Sequence, residues 1–107
     1  MAVELEAPQS KREALDGLVD MDEAKNRKTY FSPPPEVCDL CRRSLAQEKY
    51  MIDGGVKGFR YWACMCSACF ESKGKGIGWG VGQLYLHDDK GWLEVSGFNP
   101  NYPGDDT

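Results

Sequence analysis

The chain has one histidine, His87, and nothing near the run of ~20 apolar residues that a membrane-spanning helix needs. With so little histidine, zinc-nuclease chemistry is excluded, because it needs a histidine base and further ligands beside the metal. Positive charge is also short. Thirteen Lys and Arg stand against 17 Asp and Glu, a formal net charge of −4, so strong bulk attraction to phosphate backbones is not expected. The opening Met1–Pro8 has no basic segment followed by an apolar one, so no secretory leader is expected. Neither GxGxxG nor GxxxxGK[ST] occurs, which argues against nucleotide-binding loops of those kinds.

What the chain does have is cysteine, in five copies. Four form two CxxC pairs, Cys38-Asp39-Leu40-Cys41 and Cys66-Ser67-Ala68-Cys69, with 24 residues between them. Two such pairs bring four soft thiolates onto two tight turns, the donor set of a tetrahedral Zn²⁺ bound at ~2.3 Å. The gap exceeds the usual ~15–20 residues, and a β-hairpin would absorb the excess. A redox thiol pair, a pair of disulfides and buried free cysteines are the competing readings. Without a leader the setting is expected to be reducing and cytoplasmic, where paired cysteines bind metal more often than they form disulfides. Cys64 is left out of the ligand set, because only Cys66 with Cys69 repeats the first pair's spacing; it is expected to pack as a small apolar residue. A 107-residue chain allows one small domain, and a core of this size often needs such a staple.

The chain divides into three expected parts. Residues 1–36 form an amino-terminal extension outside the core. Residues 1–9 are expected to fray, Ser10 to Glu13 to form a capping box, and Ala14, Leu15, Leu18 and Val19 to line a short amphipathic helix near Lys11–Lys25. Asn26–Lys28 and Pro33-Pro34-Pro35 read as a linker. Residues 37–96 form the zinc module. Lys49–Asp53 reads as a strand, Gly54-Gly55 as the turn region, Phe59–Ala63 as the returning strand, and Phe70–Lys73 as a helical turn stopped by Gly74. Gln83–His87 and Gly91–Val95 read as a second hairpin across Asp88–Lys90, with His87 exposed beside its turn. Residues 97–107 read as an irregular tail. Knuckle, hairpin and second pair at the start of a short helix make a treble-clef-like α+β module; a zinc ribbon is the alternative.

Gly74, Gly76, Gly78, Gly80 and Gly82 alternate with Lys75, Ile77, Trp79 and Val81. An extended chain of that pattern strips one face of side chains, and glycine in a strand marks close approach of backbone or ligand. The expected uses are packing against the module or an aromatic ring and, next, a partner surface at Gly76, Gly78, Trp79 and Gly80. Over roughly residues 37–95, the first CxxC, Ile52-Asp53-Gly54, Trp62-Ala63, Met65-Cys66-x-x-Cys69-Phe70 and this glycine run through Gln83 and Tyr85 resemble small zinc-finger-like proteins encoded by tailed bacteriophages. The resemblance implies a phage protein with Cys38, Cys41, Cys66 and Cys69 as ligands, working in the host cytoplasm. It implies no particular activity, and residues 1–36 fall outside it.

Three functions compete. The first is a non-enzymatic module with one structural Zn²⁺ that binds a host protein, the expected targets being complexes that handle nucleic acid. Its acidic charge suits a basic groove. The second is direct binding of single-stranded DNA or RNA, with Arg42, Arg43, Lys57 and Arg60 meeting phosphates and Tyr61 stacking on bases; against it, Phe59 and Trp62 are expected in the core. The third, an enzyme, is disfavoured, since four cysteines close the metal's coordination sphere. No membrane association and no small-molecule substrate are expected.

Overall fold

A computed structural model describes residues 11–101; residues 1–9, the Ser10 cap and the end of the tail lie outside the described residues. The elements in chain order are a short 3₁₀ turn over Glu13–Leu18, helix α1 (Met21–Arg27), strands β1 (Tyr50–Gly55) and β2 (Trp62–Cys66), helix α2 (Ser67–Lys73), and strands β3 (Gly82–Asp88) and β4 (Gly91–Ser96). The four strands form one antiparallel sheet in the order β2-β1-β3-β4. The two expected hairpins are therefore halves of a single sheet, joined where β1 pairs with β3, Met51 opposite Tyr85 and Gly54 opposite Gly82.

Gly54 and Gly55, expected in the turn, belong to β1, and the chain reverses after Val56 instead. Glycine suits this point of the strand because neighbouring backbone crowds it. A Cβ on Gly54 would lie 2.8 Å from the Gly82 Cα, closer than real Cβ atoms come. In the second hairpin Leu86 faces Leu93 across the ladder, as the alternation predicts, with a bulge between Leu84 and Tyr85. His87 is exposed and stacks on Trp92 at 4.2 Å between ring centroids.

The single helix expected near Lys11–Lys25 is broken in two. Val19 is extended, and the Asp20 side chain accepts a hydrogen bond from the Glu23 N–H at 3.0 Å, which starts α1 afresh. The break has a tertiary cause. The Asp20 N–H donates to the Val95 carbonyl at 2.8 Å, tying the chain to β4. After α1 the chain runs along the outer edge of β4, where the Glu94 N–H donates to the Thr29 carbonyl and the Phe31 N–H to the Trp92 carbonyl. Asn26 and Arg27, expected in a linker, complete α1.

The extension thus joins the core. Leu15 and Ala24 are fully buried, together with Met51, Ile52, Met65, Leu84 and Val95. Arg27 is buried as well; its Nε donates to Glu23 Oε2 at 2.6 Å, its Nη1 to the Asn99 carbonyl at 3.0 Å, and its guanidinium lies over the Phe98 ring. No described helix is long and apolar enough to cross a membrane.

Candidate metal centre

The first cysteine pair sits on a tight knuckle outside β2. The Cys38 N–H donates to the Arg43 carbonyl and the Arg42 N–H to the Cys38 carbonyl, with Arg42 in the left-handed region at φ 68° to close the turn. Asp39 fastens this knuckle to the sheet. Its N–H donates to the Cys64 carbonyl at 2.8 Å, and its Oδ2 accepts from the Cys64 N–H at 2.9 Å. Asp39 was not singled out in the sequence, although an Asp beside a tight turn is a residue suited to bonding backbone N–H groups. The second pair is placed by the strand-to-helix junction: Cys66 ends β2 and precedes α2, and Cys69 follows in the first turn of the helix.

These elements bring the sulfurs of Cys38, Cys41, Cys66 and Cys69 within 4.8 Å of one another. Cys38 and Cys66 are fully buried, Cys69 is 8% exposed, and Cys41 is open to solvent. All five cysteines are free thiols, and the Cys41–Cys66 sulfur separation is 3.8 Å. A tetrahedral ion with metal–sulfur bonds of ~2.3 Å requires sulfur–sulfur edges of about 3.8 Å. The four cysteines are therefore close enough to hold one metal ion, and the donor set suits a soft or borderline divalent cation.

The electrostatics of the cluster favour a cation too. Burial pushes the Cys38 thiol up, but backbone N–H groups of Cys41, Cys66 and Leu40 stabilise its thiolate more, and it settles at about 7. Leu40 makes the visible contact, its N–H lying 3.4 Å from the Cys38 Sγ. Burial raises Cys66 and Cys69, and the negative charge of Cys38 raises them further. Cys38 is shifted toward the thiolate, and Cys66 and Cys69 toward the protonated thiol, because negative sulfurs repel one another in this volume without a positive ion between them. Binding a metal would release those protons.

Cys64 stands outside the cluster. Its thiol is pushed up to about 12, first by burial and then by the charges of Asp53 and Asp39. It packs partly buried against the core, as a small apolar residue would.

Comparison with known proteins finds no counterpart. No protein-family model, no curated protein and no solved structure matches the chain.

The other expected site residues fall into two groups. Arg42 and Arg43 belong to the knuckle at the cysteine end of the sheet, where Arg43 pairs with Glu48 at 3.6 Å. Lys57, Arg60 and Tyr61 lie in the turn between β1 and β2. Four register steps separate the Met51–Cys66 pair from Gly55–Trp62, roughly 13 Å at ~3.3 Å per residue. Phe59 and Trp62, expected in the core, are exposed at 55% and 43%, and Tyr61 at 50% lies 5.2 Å from Phe59 between ring centroids.

The glycine run is not one extended strand. It turns on itself, the Gly78 N–H donating to the Gly82 carbonyl and the Gly82 N–H to the Gly78 carbonyl. Gly80 takes φ +84° within that turn, a value that side chains other than glycine disfavour. The face expected to be bare is partly used inside the molecule, since a Cβ on Gly82 would collide with the Gly76 carbonyl. Trp79, at the tip, is 52% exposed, and nothing lies within 4 Å of a Cβ built on Gly78 or Gly80.

Proposed function

We propose that the chain is a non-enzymatic protein-binding module, folded as a treble clef around one structural Zn²⁺ held by Cys38, Cys41, Cys66 and Cys69. The order knuckle, β1–β2 hairpin, second pair at the head of α2 supports the treble-clef reading over a ribbon, because Cys69 lies on a helix rather than a hairpin turn. Four thiolates complete the coordination of zinc and leave it no open position for catalysis.

The observation that carries the binding role is where the aromatics are left uncovered. Phe59, Tyr61 and Trp62 flank the β1–β2 turn, and Trp79 and Val81 sit on the glycine loop. Both stretches meet at Gly55, which faces Trp62 across the ladder and donates its N–H to the Val81 carbonyl. Large apolar side chains gathered at one end of so small a protein mark an interaction surface. We take the partner to be a host complex that handles nucleic acid, the protein itself being of phage type and acting in the host cytoplasm. Affinity capture from host extract with the metal-loaded chain is expected to recover a specific protein that a Trp62→Ala, Trp79→Ala variant loses. Identical recovery by both, or no specific protein with either, counts against the reading.

A second reading follows from the same exposure. Phe59 and Tyr61 stand free beside Lys57 and Arg60, an arrangement on which a single strand of DNA or RNA could stack. Titration with a short oligonucleotide at two salt concentrations separates the readings: saturable, salt-dependent quenching of tryptophan fluorescence supports the strand, and a flat trace removes it.

A further inference from the structure

Away from the sulfur cluster, lysines from three segments line one cavity, and one of them, Lys57, also neighbours the exposed Phe59 in the chain. The Val56–Gly74 bridge lays the chain after β1 against the end of α2, with the Lys57 N–H donating to the Lys73 carbonyl and the Lys75 N–H to the Gly55 carbonyl. This sets Lys57 and Lys75 on one rim. Lys11 arrives from the amino-terminal segment, donates to the Gly74 carbonyl, and lies 4.8 Å from the centre of the Phe70 ring. The cavity they surround is about 450 Å³, with Phe70, Ile77 and Leu18 among its walls.

This concentration of positive charge runs against a chain of net charge −4. Among the described residues no ion pair reaches Lys11, Lys57 or Lys75. Glu71 acts on Lys11 from α2, but burial and the neighbouring Lys57 outweigh it and hold the Lys11 ammonium below its ordinary range. Three lysine side chains around a largely apolar hollow suit an anionic ligand. Each Lys offers three donors without fixed direction, which suits phosphate oxygens as point charges. The walls leave room for an apolar or planar portion of the same ligand.

We propose that the cavity between Lys11, Lys57 and Lys75 binds a phosphate group, carried either by a nucleic-acid strand or by a small phosphorylated molecule. The start of the glycine run contributes Lys75, Gly76 and Ile77 to this site, while Trp79 at its tip lies outside the lining. It holds whether or not the exposed aromatics dock a protein.

The test uses the metal-loaded full chain and two probes, pyrophosphate and a short single-stranded DNA, followed by calorimetry at low salt. Lys75→Gln and Lys11→Gln keep the aliphatic stems and lie outside the residues assigned to strand stacking; metal content and melting temperature show that each variant folds. The expected result is saturable pyrophosphate binding that weakens about tenfold in either variant, as for one lost charge-assisted hydrogen bond, and is unchanged in Tyr61→Ala. Binding of the strand alone, weakened by Lys75→Gln with a salt slope reduced by about 1, assigns the phosphate to nucleic acid. The proposal is overturned if neither probe binds, or if both lysine variants bind as the wild type does. A strand that responds to Tyr61→Ala and not to Lys75→Gln also sinks the pocket, while leaving the stacking surface standing.

Discussion

The two outer edges of the sheet face the same difficulty and meet it differently. An unpaired strand edge is a template for association with another chain. On β2 the edge is covered by the cysteine knuckle, through the Asp39–Cys64 bonds and the sulfur cluster behind them. On β4 it is covered by the chain at Thr29 and Phe31, which adds backbone hydrogen bonds and is held down by Leu15 and Ala24 in the core. One edge is closed by a segment whose cysteines lie close enough to hold an ion, the other by apolar burial. They should therefore fail under different insults.

The largest effect is expected at the β2 edge. In small zinc domains the metal supplies on the order of 10–16 kcal/mol of apparent binding free energy, so Cys38→Ser, or a strong chelator under reducing conditions, should remove the fixed structure of the knuckle, β2 and α2. Hydrogen exchange reads the comparison directly: the Asp39 and Cys64 amides lose protection before those of Phe31 and Glu94. Simultaneous loss would mean that the two edges are one cooperative unit.

At the opposite edge, Leu15→Ala should cost about 2–5 kcal/mol as a buried leucine truncation, seen in denaturant melts with metal stoichiometry unchanged. Next in size is Gly82→Ala, where the new methyl meets the Gly76 carbonyl beside β1; an overpacked site of this kind loses about 1–3 kcal/mol. An unchanged melt would show that the glycine loop yields.

The smallest effect is a gain. Glu94 is 6% exposed, and burial raises its carboxyl above the ordinary glutamate range, with the nearby Arg27 charge opposing only in part. A folded-state value above the unfolded one means that the fold binds this proton more tightly. Stability from this group is therefore fullest below the unfolded value and is lost as pH rises through the raised one. Glu94→Gln should melt higher than the wild type at pH 7, by a margin that narrows as pH falls toward the ordinary glutamate range. A constant margin would assign the gain to something other than the proton.

Much of the β2 edge could be read along the chain. The CxxC spacing, the strand expected at Lys49–Asp53 and found at Tyr50–Gly55, and the stop at Gly74 are local signals, and the structure gathers the paired cysteines and leaves Cys64 aside. The β4 edge could not be read in that way. The break at Val19–Asp20 is set by Val95, some 75 positions along the chain, and a helical stripe of Ala14, Leu15, Leu18 and Val19 carries no trace of it. The union of the two hairpins includes Gly54 meeting Gly82, a close approach that the missing side chain of Gly54 permits. The same holds for the exposed aromatics. Hydrophobicity alone places Phe59 and Trp62 inside, and only the turn position reveals that the core closes without them.

The central claim is settled by weighing the protein. Native mass spectrometry of the chain, purified under reducing conditions without added metal, should show one Zn²⁺ per molecule, retained in Cys64→Ala and lost in Cys66→Ser. A metal-free mass together with an unchanged melting curve in excess chelator would contradict it.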